Sequence, residues 1–173
     1  RPGLVRITAE AAFEGEVAAW IHRFKYPAQG LAGLDPRPGA LVTALLTAAA
    51  DRLGPPTPDL VVPVPAHPRK LRARGFHPAG LLARAAAERL GAPCDLGALV
   101  AARETASQTG LDRAARRRNV RDAFAPRPGW IAPAQVVLVD DVVTTGATLA
   151  ACASALRRAG ARRVVGLCAA RTL

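Results

Sequence analysis

Methionine is absent from these 173 residues, aromatic residues make up only 4% of them, and lysine occurs only at Lys25 and Lys70. The scarcity of aromatics argues against a platform on which successive bases stack, because that mode of single-strand recognition needs several exposed rings. The cysteines, Cys94, Cys152 and Cys168, stand far apart and form no C-x-x-C, so neither a zinc site nor a disulfide framework is signalled and a reducing cytoplasm is expected. No apolar run reaches the roughly 18 residues of a membrane span, and no charged-then-apolar leader opens the chain, so membrane insertion is not expected. The start at Arg1, with no methionine, predicts a processed or trimmed beginning. Acid is scarce too: 13 Asp+Glu against 24 Lys+Arg leave a formal charge of +11. Such a surface attracts polyanions, whether nucleotides, pyrophosphate or nucleic acid, although an arginine excess among so many Ala, Gly and Pro is equally the mark of GC-biased coding.

What is present describes a globular chain. Half of the residues are hydrophobic and 21% are charged, which excludes a disordered polymer, and the length suits one domain with a short appendage. Val17, Trp20, Ile21 and Phe24 recur at helical spacing between Glu14 and Lys25, and Pro27 stops that helix. Leu41, Leu45, Leu46 and Leu53 predict a second helix ending at Gly54, so residues 1–58 read as a helical segment. From residue 59 the pattern becomes strand, loop and helix: an apolar run at Leu60–Val62, a basic loop from Pro65 to Gly75, and a helix from about Pro78 to Leu90. Leu96 to Ala101 reads as a further strand. Val136–Val139 has the uninterrupted apolar character of a strand buried on both faces of a parallel sheet. A helix through Leu149, Cys152, Ala153 and Leu156 and a strand from Arg163 to Cys168 complete a βαβ unit. That unit puts the segment from Asp140 to Thr148 at the C-terminal edge of the sheet, where open α/β sheets bind ligands.

The chemistry concentrates there. A helix N-terminus offers backbone N–H groups without intrahelical partners and about half a positive charge, which suits a phosphate. Gly146 allows close approach, and Thr144, Thr145 and Thr148 add hydroxyls around Ala147. Carboxylates only accept, so Asp140 and Asp141 beside a phosphate suit a sugar's hydroxyls or a magnesium ion. A ribose 5-phosphate meets both demands. Taken singly, the same residues are a helix cap and a solvated strand end. The segment is neither a Walker A loop nor a G-x-G-x-x-G fingerprint.

The string VVLVDDVVTTGAT, residues 136–148, resembles the phosphoribosyl-pyrophosphate (PRPP) signature of type I phosphoribosyltransferases. The wider resemblance is to the ComF family, phosphoribosyltransferase-like proteins associated with natural competence. It covers Phe24-Lys25-Tyr26, the Val62-Pro63-Val64-Pro65 run with Arg69, Arg72, Arg74, Gly75 and Phe76, and a later group comprising Gln108, Leu111, Arg113, Arg117, Asn119, Val120 and Phe124. His77 stands where that family's R-G-F-N pattern has Asn, and the cysteine-based zinc module that usually precedes the domain is missing, for which truncation is the expectation. The resemblance implies an α/β type I phosphoribosyltransferase fold: a parallel sheet flanked by helices over residues 59–173, with residues 1–58 as a hood-like helical segment. It implies that Asp140 and Asp141 hold the ribose hydroxyls, that Thr144, Thr145, Gly146, Ala147 and Thr148 cradle the 5-phosphate, and that Mg²⁺ accompanies PRPP. Adjacent strand side chains point to opposite faces, so both acids reach one ribose only if the chain leaves extended geometry at Asp140; otherwise one of them is structural.

The loop with Arg69, Lys70, Arg72 and Arg74 lies beside the phosphate turn if the two strands are neighbours, and Arg forks recognise pyrophosphate. His67 in that loop reads as structural. Gln108, Arg113, Arg116, Arg117 and Arg118 read as a mobile basic flap, a nucleic-acid contact or a solvated helix. Three functions compete: a transferase moving phosphoribose from PRPP to a nitrogen nucleophile whose identity no residue reveals, an adaptor binding single-stranded DNA or a competence helicase, and a PRPP-sensing regulator. A homodimer is a family expectation.

Overall fold

The structure, a computed structural model, describes residues 4–27, 35–101 and 123–173. In chain order its elements are β1 (Leu4–Ala12), α1 (Gly15–Lys25), α2 (Arg37–Asp51), β2 (Leu60–Pro63), α3 (Pro68–Arg74), α4 (Pro78–Leu90), β3 (Leu99–Ala101), β4 (Phe124–Pro126), β5 (Gln135–Val143), α5 (Ala147–Arg158) and β6 (Arg163–Arg171). Four strands form a parallel sheet in the order β1-β6-β5-β2, with Val62 opposite Leu138, Val139 opposite Leu167, and Ala9 opposite Cys168. None of the described helices is long and apolar enough to cross a membrane.

Strand periodicity assigns the two faces. Val136 and Leu138 point into a layer with Leu149, Cys152, Ala153 and Leu156 of α5, whereas Val137 and Val139 point into the layer built by α1, α2 and α4 through Ile21, Val42, Leu46 and Leu82. The central strands are thus buried on both sides, as their unbroken apolar runs predict. The helices after β2 and after β5 go to opposite faces although the strands are hydrogen-bonded neighbours. Adjacent strands whose connections diverge in this way open a crevice at their C-terminal ends.

Three elements differ from the sequence reading. Residues 4–12, read as part of a helical segment, form an edge strand of the main sheet, paired in parallel with β6. Alanine-rich and short of long apolar runs, they carry little strand signal of their own, and the free rim of β6 decides their conformation. The basic loop contains a short helix, α3, with His67 as N-cap, its Nδ1 accepting from the Arg69 N–H at 3.3 Å, and Gly75 as a left-handed C-cap at φ 78°. The strand read at Leu96–Ala101 is confined to β3, which pairs antiparallel with β4 and lies outside the main sheet.

Candidate functional site

The crevice between the ends of β2 and β5 is a cleft of about 510 Å³. One wall is the end of β5 and the turn into α5: Asp140, Asp141, Thr144, Thr145, Gly146, Ala147 and Thr148 all line it. The other wall follows β2 and contributes His67, Lys70, Arg74 and His77. The strands bearing the two segments are neighbours, so the condition under which the basic segment lies beside the phosphate-type turn is met. Arg69 and Arg72 sit on the exposed side of α3 and are not part of the lining. Gln108, Arg113, Arg116, Arg117 and Arg118 lie outside the described residues.

The turn into α5 has the geometry that anion binding requires. Gly146 adopts φ 71° at the N-cap, a left-handed conformation that costs other L-residues about 1–2 kcal/mol. Thr145 Oγ1 accepts from the Ala147 N–H at 3.3 Å, which turns the threonine hydroxyl toward the first turn of the helix. The cleft end of α5 holds no acidic residue in its first turn, so its N–H groups and dipole face the opening without a resident carboxylate.

The two acids differ. Asp140 Oδ1 accepts from the Asp141 N–H and Asp141 Oδ1 from the Val142 N–H, each at 2.9 Å. Asp141 is 4% exposed, and its Oδ2 lies 2.6 Å from the Lys25 ammonium at the end of α1. Burial pushes the Asp140 carboxyl up to about 6, against the opposing pull of Lys25 and Arg74. Burial also lowers Lys25, with Asp140 acting in the other direction. Behind Asp140, the buried thiols of Cys152 and Cys168 are held far above their ordinary range by desolvation, with the Asp140 charge adding to it, so they stay protonated.

Sequence reasoning assigned no role to Lys25 beyond its part in a shared Phe-Lys-Tyr string. In the structure each residue of that string fastens α1 to a different part of the cleft. Phe24 packs edge-on against Phe76 at 6.1 Å between ring centroids, and Lys25 pairs with Asp141. Tyr26 carries the Arg74 guanidinium 4.6 Å above its ring and accepts from Arg74 Nη2 at 2.5 Å. Phe76 is half-buried and in contact with Phe24. The signal for Lys25 was its isolation: one of only two lysines in an arginine-dominated chain, placed at the end of an amphipathic helix. His77 donates through Nε2 to the Val64 carbonyl at 3.1 Å, and burial lowers its pKa, so the ring is neutral at physiological pH.

Residues 72–171 match the family described as phosphoribosyl transferase domain, and the chain belongs to that family. Within it, the chain is homologous to the proteins called DNA utilization protein YhgH and competence protein F. It is 41% identical to YhgH of Salmonella typhi over 123 residues, 69% of this chain and 52% of that protein. To competence protein F of Haemophilus influenzae it is 32% identical over 109 residues, 62% of this chain and 48% of that one. The chain therefore spans about half the length of these relatives. Its fold is similar to that of the glutamine PRPP amidotransferase of B. subtilis, with a TM-score of 0.52 at 23% identity, covering 83% of this chain and 29% of that one. These findings agree with the α/β type I phosphoribosyltransferase fold expected from the signature.

Proposed function

We propose that the cleft binds PRPP together with Mg²⁺ and transfers its phosphoribosyl group to a nitrogen nucleophile. The observation that carries this reading is convergence: hydroxyl-accepting acid, anion-binding turn and the cations Lys70 and Arg74 meet in one cleft at the parting ends of β2 and β5. In this reading the 5-phosphate takes the N–H groups and hydroxyls of residues 144–148, and the acid at the end of β5 accepts hydrogen bonds from the ribose. Lys70 and Arg74 face the pyrophosphate as it leaves C1, where fixed positive charge stabilises the developing anion. Among the described residues no group of three or more His, Cys, Asp and Glu side chains is arranged to hold a metal. In this reading the ion is carried in by the pyrophosphate oxygens and met by an acid at the end of β5. When bound, Mg²⁺ neutralises those oxygens.

Calorimetry of PRPP with Mg²⁺ tests the reading. Saturable binding is expected, with a loss of about a hundredfold or more when Asp140→Asn removes the charged acceptor, as for other charge-assisted hydrogen bonds in a site of low dielectric. Absence of binding by the unaltered protein refutes it. Turnover with nitrogen acceptors then separates a transferase from a PRPP sensor, which binds without releasing pyrophosphate.

A second reading, contact with single-stranded DNA in the service of DNA uptake, is favoured by one feature of the surface. Arg69 and Arg72 are exposed on α3 and do not line the cleft, and the homologous proteins are named for DNA utilization and competence. Substituting both by Ala is expected to weaken oligonucleotide binding and leave PRPP affinity unchanged.

A further inference from the structure

The acid pair at the end of β5 is treated alike by the sequence, and both members line the cleft within reach of the Lys25 charge, yet the fold gives them different direct partners. β5 runs through Val143, and its side chains alternate between the two layers as far as the pair; beyond it the order shifts, with Val142 against the layer of α1, α2 and α4 and Val143 in the layer of α5. Asp140 follows Val136 and Leu138 to the face of α5, beside Cys152, and it is on this face that the N-terminal turn of α5 opens into the cleft. Asp141 follows Val137 and Val139 to the opposite layer, where α1 ends. There Oδ1 accepts from the Val142 N–H, and Oδ2, buried and without a hydrogen bond, is ion-paired with the Lys25 ammonium at 2.6 Å.

We propose that Lys25 is a positioning residue that withdraws Asp141 from the ligand, leaving Asp140 as the acid presented to the sugar. This rests on the PRPP reading for the identity of the ligand. The Lys25–Asp141 pair is a clasp between α1 and β5, formed by residues far apart in sequence and reinforced on either side by the Phe24–Phe76 and Tyr26–Arg74 contacts. Its side chains are 28% and 6% exposed, so the carboxylate is the more committed partner: without the ammonium it is a buried charge with no compensation. Such a charge repels an incoming phosphate and loosens the wall that α1 forms. Two neutral residues of similar shape leave no unpaired charge, only the smaller cost of an amide N–H₂ beside an apolar neighbour. Asn at 141 still offers an oxygen to the Val142 N–H, and Met at 25 fills the lysine stem's place.

A double-mutant cycle on PRPP–Mg²⁺ affinity and on thermal melting decides the matter. Lys25→Met alone is expected to weaken binding about tenfold and to lower the melting temperature. Combining it with Asp141→Asn is expected to recover most of both losses, whereas Asp140→Asn abolishes binding without any such rescue. If the double variant binds as poorly as Asp140→Asn, Asp141 meets the sugar and the proposal falls. If Lys25→Met costs as much with Asn at 141 as with Asp, Lys25 meets the ligand itself, which also overturns it. Should the unaltered protein bind no PRPP, the ligand reading fails by itself. The clasp then stands or falls on the melting data, where coupling between positions 25 and 141 supports it and additivity refutes it.

Discussion

Asp140 links the site to the stability of the fold. Its carboxyl is pushed from the ordinary 3.8 up to about 6 by desolvation, so the folded protein holds that proton more tightly than the unfolded chain does. Between about pH 4 and pH 6 the native state therefore carries the extra proton, and the free energy of unfolding declines as pH rises through that window. Above it the cost of the buried charge is complete and this contribution is level, at most about 3 kcal/mol below its acid value. Denaturant melts of the unaltered protein and of Asp140→Asn across that range are expected to differ in slope, the Asn variant lacking this decline. Equal slopes would show that Asp140 is ionised at its ordinary pKa. The same residue explains why reading side chains singly was insufficient: Asp140 and Asp141 are chemically identical and both line the cleft, and only the placement of β5 between two helical layers sets Asp141 against Lys25 and leaves Asp140 on the side of α5. His77 is a second case, an apparent departure from an Asn pattern that the structure shows bonded to the Val64 carbonyl.

Among the elements, α5 and α4 show how local backbone freedom serves the cleft. Gly146→Ala places a Cβ on a residue at φ 71° and is expected to cost about 1–2 kcal/mol while distorting the turn that faces the cleft. Melting and PRPP titration of that variant should both report a loss. A loss in stability alone would place the anion elsewhere. At Gly80 the limit is space rather than backbone: a Cβ there would lie 2.9 Å from His77 Nδ1, so the ring must shift. Gly80→Ala is expected to break the His77–Val64 hydrogen bond, at about 1 kcal/mol, visible as a changed His77 titration by NMR. The strong periodic elements, α1, α4 and the β5–α5–β6 unit, were legible because each carries its own apolar period and stop signal. The weak ones were not. β1 borrows its conformation from β6, and α3 has seven residues with none buried, so neither leaves an amphipathic trace.

For the molecule as a whole, two cores on either side of one sheet hold the cleft open, and the surface charge acts at longer range. Leu138→Ala, at the centre of the sheet against α5, is expected to cost about 2–5 kcal/mol and to be read by thermal melting. The net charge of +11 makes a separate prediction. Binding of a single-stranded oligonucleotide should weaken with salt by about 0.7 log units per log unit of salt for each phosphate neutralised, measured by fluorescence anisotropy. The sequence by itself determined the βαβ grammar, the family and the segment from Asp140 to Thr148, because apolar period and a compact motif are local properties of the chain. It could not say what stands opposite that segment. Joining Lys25 to Asp141 and Tyr26 to Arg74 requires α1, α3 and β5 to meet. That meeting is decided only when β2 docks beside β5 and their following helices take opposite faces of the sheet, since packing between distant segments leaves no period in either one.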